Sequence, residues 1–139
     1  VGSEMCIRDS GIEERDTYVE MARQICAEYG CKKVASVVRN ISCVERSIWM
    51  GMLFDAESGE HWFSPAHDVH VLEGVAAGDA FNAGLVHALI NDFDPQAAVN
   101  YAIAASILKL TIKGDSNLVT ADEIAAVANA ADGGTRVAR

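Results

Sequence analysis

The chain has 139 residues, half of them hydrophobic, which suits one domain with a buried core and carries no disorder signature. Acidic residues outnumber basic ones 20 to 11, and the resulting charge of −9 argues against a nucleic-acid partner. The most apolar stretch, 97–112, is broken by Asn100, Ser106 and Lys109 and is shorter than the roughly 20 residues a membrane crossing needs, so it reads as a buried helix and no membrane role is expected.

The first ten residues, VGSEMCIRDS, show neither helical nor strand periodicity and read as a translated sequencing adapter. On that reading 11–139 carries the fold, and the chain begins mid-gene. Nothing in the opening residues pairs a basic region with an apolar run, so a cytoplasmic location is expected. The four cysteines, Cys6, Cys26, Cys31 and Cys43, form no C-x-x-C pair and no regular framework, and they read as reduced thiols.

From Glu13 to Tyr29 the residues Val19, Ala22, Cys26 and Tyr29 recur at helical spacing, with Gly30 placed to end the helix. Valine-rich Lys33 to Arg39 predicts a strand, and Ser47 to Phe54 a second. Asp55 to Glu60 is a turn leading into His61, Trp62 and Phe63, and the rings of Trp49, Trp62 and Phe63 are expected to pack under the sheet. Val69 to Leu72 predicts a short strand. His61, His67 and His70 read as loop or surface residues rather than ligands of one ion, and no metal site by side-chain cluster is expected.

Three helices follow. The first runs from about Gly78 to Ile90. The second has Asp94 as N-cap and Pro95 at its first position, with Gly114 just past its end. Thr120 and Glu123 stand in capping-box spacing at the start of the third, and the glycine-containing tail after Asp132 reads as loose. Such an order suggests an α/β layer fold whose sheet continues in residues outside this chain.

Chemistry concentrates in Leu72-Glu73-Gly74-Val75-Ala76-Ala77-Gly78-Asp79-Ala80-Phe81, where a strand gives way through small residues to a helix. The N–H groups of a helix's first turn lack internal partners and lie at the positive end of its dipole. Small side chains at Ala76, Ala77 and Gly78 let a phosphate approach those groups, and the Asp79 carboxylate beside them can accept a proton from a hydroxyl. Taken alone, a turn of this composition also serves packing and capping.

AAGDAFNAG resembles the second signature of the ribokinase, or PfkB-type, carbohydrate kinases. The resemblance runs from about Asp16 to Arg139. Within the family, Asp94-Pro95-Gln96, Ala104-Ala105-Ser106 and Lys113-Gly114-Asp115-Ser116-Asn117-Leu118-Val119 are most similar to 2-dehydro-3-deoxygluconate kinases. It implies the C-terminal portion of a ribokinase-like αβα sandwich with an incomplete sheet: the ATP-binding half of an enzyme that phosphorylates a small sugar or sugar acid. ATP and Mg²⁺ are the implied cofactors, with K⁺ as a further candidate. Asp79 becomes the catalytic base, and Ala76, Ala77 and Gly78 the anion hole. Glu73 falls where the family has an aspartate near a monovalent-cation site, and Lys113, Gly114, Asp115, Ser116 and Asn117 match the loop bordering nucleotide and ion. The complete protein would be a homo-oligomer, and this portion alone inactive.

This chain departs from the pattern at several points. Glu73 is longer than the usual aspartate, and Gly74 replaces a threonine or arginine. Arg39-Asn40-Ile41-Ser42 stands in place of a glycine-containing loop against ATP, and there Arg39 is a candidate to pair with a phosphate. Ile103 replaces a polar residue near the adenine. A kinase of another sugar, such as ribose or fructose, and a non-catalytic nucleotide-binding module remain alternatives.

Overall fold

The structure is a computed structural model, and it describes residues 15–41 and 46–130. The suspected adapter, Glu13, Cys6, Cys43 and the tail after Asp132 lie outside the described residues. Helix α1 spans Arg15–Tyr29 and buries Tyr18, Val19, Ala22 and Cys26, which its periodicity sets on one face. Gly30, at φ 67°, ends it by donating its N–H to Cys26 O at 2.9 Å.

Strands β1 (Lys33–Ile41) and β2 (Arg46–Asp55) pair antiparallel, from Lys33 opposite Asp55 to Ile41 opposite Ser47. The far side of β2 is shared by two short antiparallel strands. β3 (His61–Phe63) lies opposite Met52–Phe54, and β4 (His67–His70) opposite Arg46–Trp49. Ser64 fills the gap between them, its hydroxyl accepting from Gly51 N–H at 2.8 Å and its own N–H reaching Gly51 O at 2.9 Å. The β2–β3 turn is held by Asp55, which accepts from Glu57 N–H at 2.9 Å and pairs with Lys33; Lys33 and Glu57 hold its carboxyl below the usual carboxylate range.

Alternation along β2 separates two cores. Met50, Met52 and Phe54 meet α1, whereas Trp49 joins a cluster with Phe81, Ile103 and Ile107 on the opposite face. That second face is covered by α2 (Ala77–Ile90) and α3 (Pro95–Lys109), and α4 (Ala121–Ala128) packs outside α3. Helix α3 is buried almost throughout, including Tyr101 to Lys109, as an all-round apolar helix must be. Two glycines allow the close packing. A Cβ on Gly51 would come within 3.0 Å of Val99 Cγ2, and one on Gly84 within 3.0 Å of Ala105 Cβ and 3.1 Å of the Ala102 backbone. Both expected caps are present: Asp94 accepts from Ala97 N–H at 3.0 Å, and Thr120 with Glu123 closes a reciprocal capping box.

Several boundaries differ from expectation. Strand β1 runs on through Ile41, so Arg39 is a strand residue facing Trp49 rather than part of a loop. β4 begins at His67, and Val71 and Leu72 fall outside it because the N–H groups of Leu72 and Glu73 donate to Leu110 O, at 2.8 and 3.2 Å. His67 is not a surface histidine. Strand alternation turns it and Val69 inward, leaving His67 4% exposed, its Nδ1 without a partner among the described residues and its pKa lowered by burial. Helix α3 ends at Lys109, so Gly114, at φ 84°, sits in the following loop. Cys26 and Cys31 are free thiols with Sγ atoms 3.6 Å apart.

Candidate functional site

The turn from β4 into α2 is shaped by one unusual residue. Ala76 adopts the left-handed conformation at φ 60° and ψ 11°, immediately before Ala77 enters the helix. A left-handed residue followed by right-handed ones turns successive N–H groups inward as an anion-binding nest. The first helical bond runs from Ala80 N–H to Ala76 O at 2.9 Å, so the N–H groups of Ala77, Gly78 and Asp79 precede the helical ladder. Gly78 is exposed, and a Cβ placed on it would meet nothing within 4 Å. The space over the helix start is therefore open. The Asp79 side chain is exposed beside it and makes no hydrogen bond or ion pair among the described residues.

Behind this turn lies the loop after α3. Leu110 O receives the Leu72 and Glu73 N–H groups, and the Glu73 carboxylate accepts the Gly114 N–H at 2.7 Å. Glu73 and Gly114, 41 positions apart in sequence, are thereby brought together. Lys113, Asp115, Ser116 and Asn117 continue the loop as exposed residues, with Ser116 Oγ 3.5 Å from Asp115 Oδ1.

Two residues holding this arrangement were visible in the sequence only as polar interruptions of an apolar run. Ser106 is fully buried and donates its hydroxyl to Ala77 O at 2.9 Å, fixing the first residue of α2. Lys109, one turn further along α3, is 0% exposed and donates through Nζ to Ile112 O at 3.1 Å and Gly114 O at 2.6 Å. No carboxylate among the described residues pairs with it. Polar residues at i and i+3 on a helix buried all round were the available signal, since such groups persist in a core only when they are bonded.

Arg39 does not join the turn directly. Its guanidinium lies over the Trp49 ring at 5.5 Å, and Trp49 shares a core with Ala77 and Phe81, so Arg39 is on the site-bearing face of the sheet. Ile103 is fully buried against Gly51, which removes it as a base-reading side chain. Among the described residues no group of three His, Cys, Asp or Glu gathers as a metal cluster, and no helix is long and apolar enough to cross a membrane.

A family model described as pfkB family carbohydrate kinase matches residues 50–122. In structure the chain is similar to the 2-dehydro-3-deoxygluconokinase of Thermotoga maritima, with a TM-score of 0.78 and 31% identity, covering 83% of this chain and 34% of that one. It is also similar to a 2-dehydro-3-deoxygalactonokinase of Haloferax volcanii, 30% identical over 76 residues, 55% of this chain and 24% of the relative. An ATP-dependent ribose-1-phosphate kinase of Halopiger xanaduensis is 37% identical over 62 residues, 45% of this chain and 21% of the relative. The chain spans about a third of the solved relative and about a quarter or less of the curated ones. The α/β layers and open antiparallel sheet match a part of that ribokinase-like fold.

Proposed function

The chain belongs to the pfkB family of carbohydrate kinases, and from that premise we propose that the complete protein phosphorylates a small sugar acid, 2-dehydro-3-deoxygluconate above all. The supporting observation is the turn at Ala76 to Asp79, where amides open to an anion stand next to an unencumbered carboxylate. Asp79 takes the proton from the substrate's terminal hydroxyl as that oxygen attacks the γ-phosphorus of ATP in line, and the bond from that phosphorus to the β–γ bridging oxygen breaks to release ADP. Negative charge developing on the transferring group is met by the N–H groups of Ala76 to Asp79 and by the positive end of the α2 dipole. Arg39 approaches phosphate from the same face of the sheet.

The family implies ATP and a divalent metal ion. Mg²⁺ suits a site with few protein carboxylates, because it travels on the nucleotide phosphates and keeps most of its water. When bound, it would supply charge neutralisation to the transferring phosphate. The fit for K⁺ is poor, since the Lys109 ammonium already sits on the Ile112 and Gly114 carbonyls and its charge opposes a second cation beside it.

A screen of ADP formation by the complete protein over sugars and sugar acids tests this reading. Turnover with 2-dehydro-3-deoxygluconate well above ribose and fructose is expected. Faster turnover of ribose or fructose would move the assignment to another sugar. ATP binding without transfer to any acceptor would leave a nucleotide-binding module.

A further inference from the structure

We propose that Lys109 is the built-in cation of the nucleotide-bordering loop, a tethered ammonium in place of a dissociable monovalent ion. The inference rests on the kinase reading above for what the loop touches, but its geometry stands by itself. Burying an ammonium costs several kcal/mol unless other groups solvate it. Lys109 is fully enclosed without a carboxylate partner among the described residues, and two main-chain carbonyls, Ile112 O and Gly114 O, receive its protons. Bare carbonyls around a compact charge are also how a protein replaces the water shell of a monovalent ion.

Gly114 connects this charge to the site. Its carbonyl accepts from Lys109, and its N–H donates to Glu73 at 2.7 Å, so the ammonium and the carboxylate hold the two peptide groups on either side of the Gly114 Cα and tie the loop after α3 to the turn before α2. The Ser106 hydroxyl holds Ala77 O one helical turn earlier. Helix α3 therefore anchors both walls of the nucleotide site from a single face, and Lys109 acts as a positioning residue for the loop.

Steady-state kinetics and hydrogen exchange on the complete protein test the idea. The KM for ATP should stay within about twofold when K⁺ is replaced by bulky tetramethylammonium, and Lys109→Met should raise it roughly tenfold, the order of one lost charge-assisted bond. The KM for the sugar and kcat per folded molecule should hold, whereas a merely structural loss would lower the active fraction and leave the KM for ATP alone. The Gly114 amide should exchange at least tenfold faster in the variant. If Lys109→Met does not fold, Lys109→Gln removes the charge while keeping a donor, and the KM for ATP should rise in the same direction by a smaller factor. A wild-type KM for ATP that falls severalfold with K⁺, or a variant with unchanged KM and unchanged Gly114 exchange, would overturn the proposal. If the wild type transfers no phosphate to any acceptor, the kinase reading fails, and the exchange measurement still decides whether Lys109 holds the loop.

Discussion

The two faces of the sheet are built on opposite plans. Toward α1 the contacts come from large and adaptable side chains, with Tyr18, Met50, Met52 and Phe54 meeting in one cluster. Toward α2 and α3 large side chains such as Trp49, Phe81 and Ile103 are joined by glycines at the closest approaches, Gly51 under Val99 and, between the two helices, Gly84 against the Ala102 backbone. Methionine and aromatic packing can yield by changing rotamers. Backbone packed on backbone cannot. The face carrying the turn at Ala76 to Asp79 is thus the rigid one, as a site that works by holding reactants in place requires.

The largest expected effect is chemical. In the complete protein Asp79→Asn should lower kcat by about 10²- to 10⁴-fold, the range for a lost general base, while ATP still binds by calorimetry. Retained turnover would remove Asp79 from its role. Packing comes next. Gly84→Leu adds atoms where a Cβ alone already meets Ala105 and Ala102, and it should cost about 1–3 kcal/mol or more in denaturant unfolding. Met50→Leu on the other face conserves volume and should cost less than about 1.5 kcal/mol. Equal losses at the two positions would erase the contrast between the faces.

Ser106→Ala removes the hydroxyl that donates to Ala77 O, while the helical ladder of α2 still reaches that carbonyl. A loss of about 0.5–1.5 kcal/mol, the range for one hydrogen bond, with a raised KM for ATP, is expected. The smallest effect concerns protons. Burial lowers the pKa of His67 from its ordinary 6.5, so below that pH the unfolded chain binds a proton that the folded chain refuses. This contribution is present above 6.5 and is lost as pH falls from there to the lowered folded value. Unfolding midpoints followed between neutral and mildly acidic pH should decline, and His67→Phe should flatten the decline. The lowered pKa of Asp55 acts in a separate, more acidic window, from its ordinary 3.8 downward.

Local chemistry was the legible part of this sequence. Asp94-Pro95 and the Thr120–Glu123 pair fix helix starts through bonds only a few residues long, and each is where the pattern put it. The helix start after Ala76 was legible for the same reason, whereas the left-handed backbone at Ala76 was not, since alanine carries no signal for it. Distant contacts decided the rest. The end of β4 was misread because Leu110 captures the amides of Leu72 and Glu73, a bond between positions nearly forty residues apart along the chain. Lys109 read only as an interruption of an apolar run, since no pattern announces that the carbonyls of a later loop will enclose it. His67 alternates as a strand residue should, but two inward positions are too few to reveal a period.

Ala76 has a consequence for how the protein can change over time. A left-handed backbone on a residue with a Cβ costs roughly 1 kcal/mol, and branching at that carbon makes the conformation an outlier. Valine, isoleucine and threonine are therefore closed to position 76, although each is a short mutational step from alanine or its neighbours. Glycine relieves the strain, and aspartate tolerates the geometry but sets a negative charge in a nest made for anions. Descendants of this sequence can drift freely across much of their surface, yet at this point heredity has almost nowhere to go.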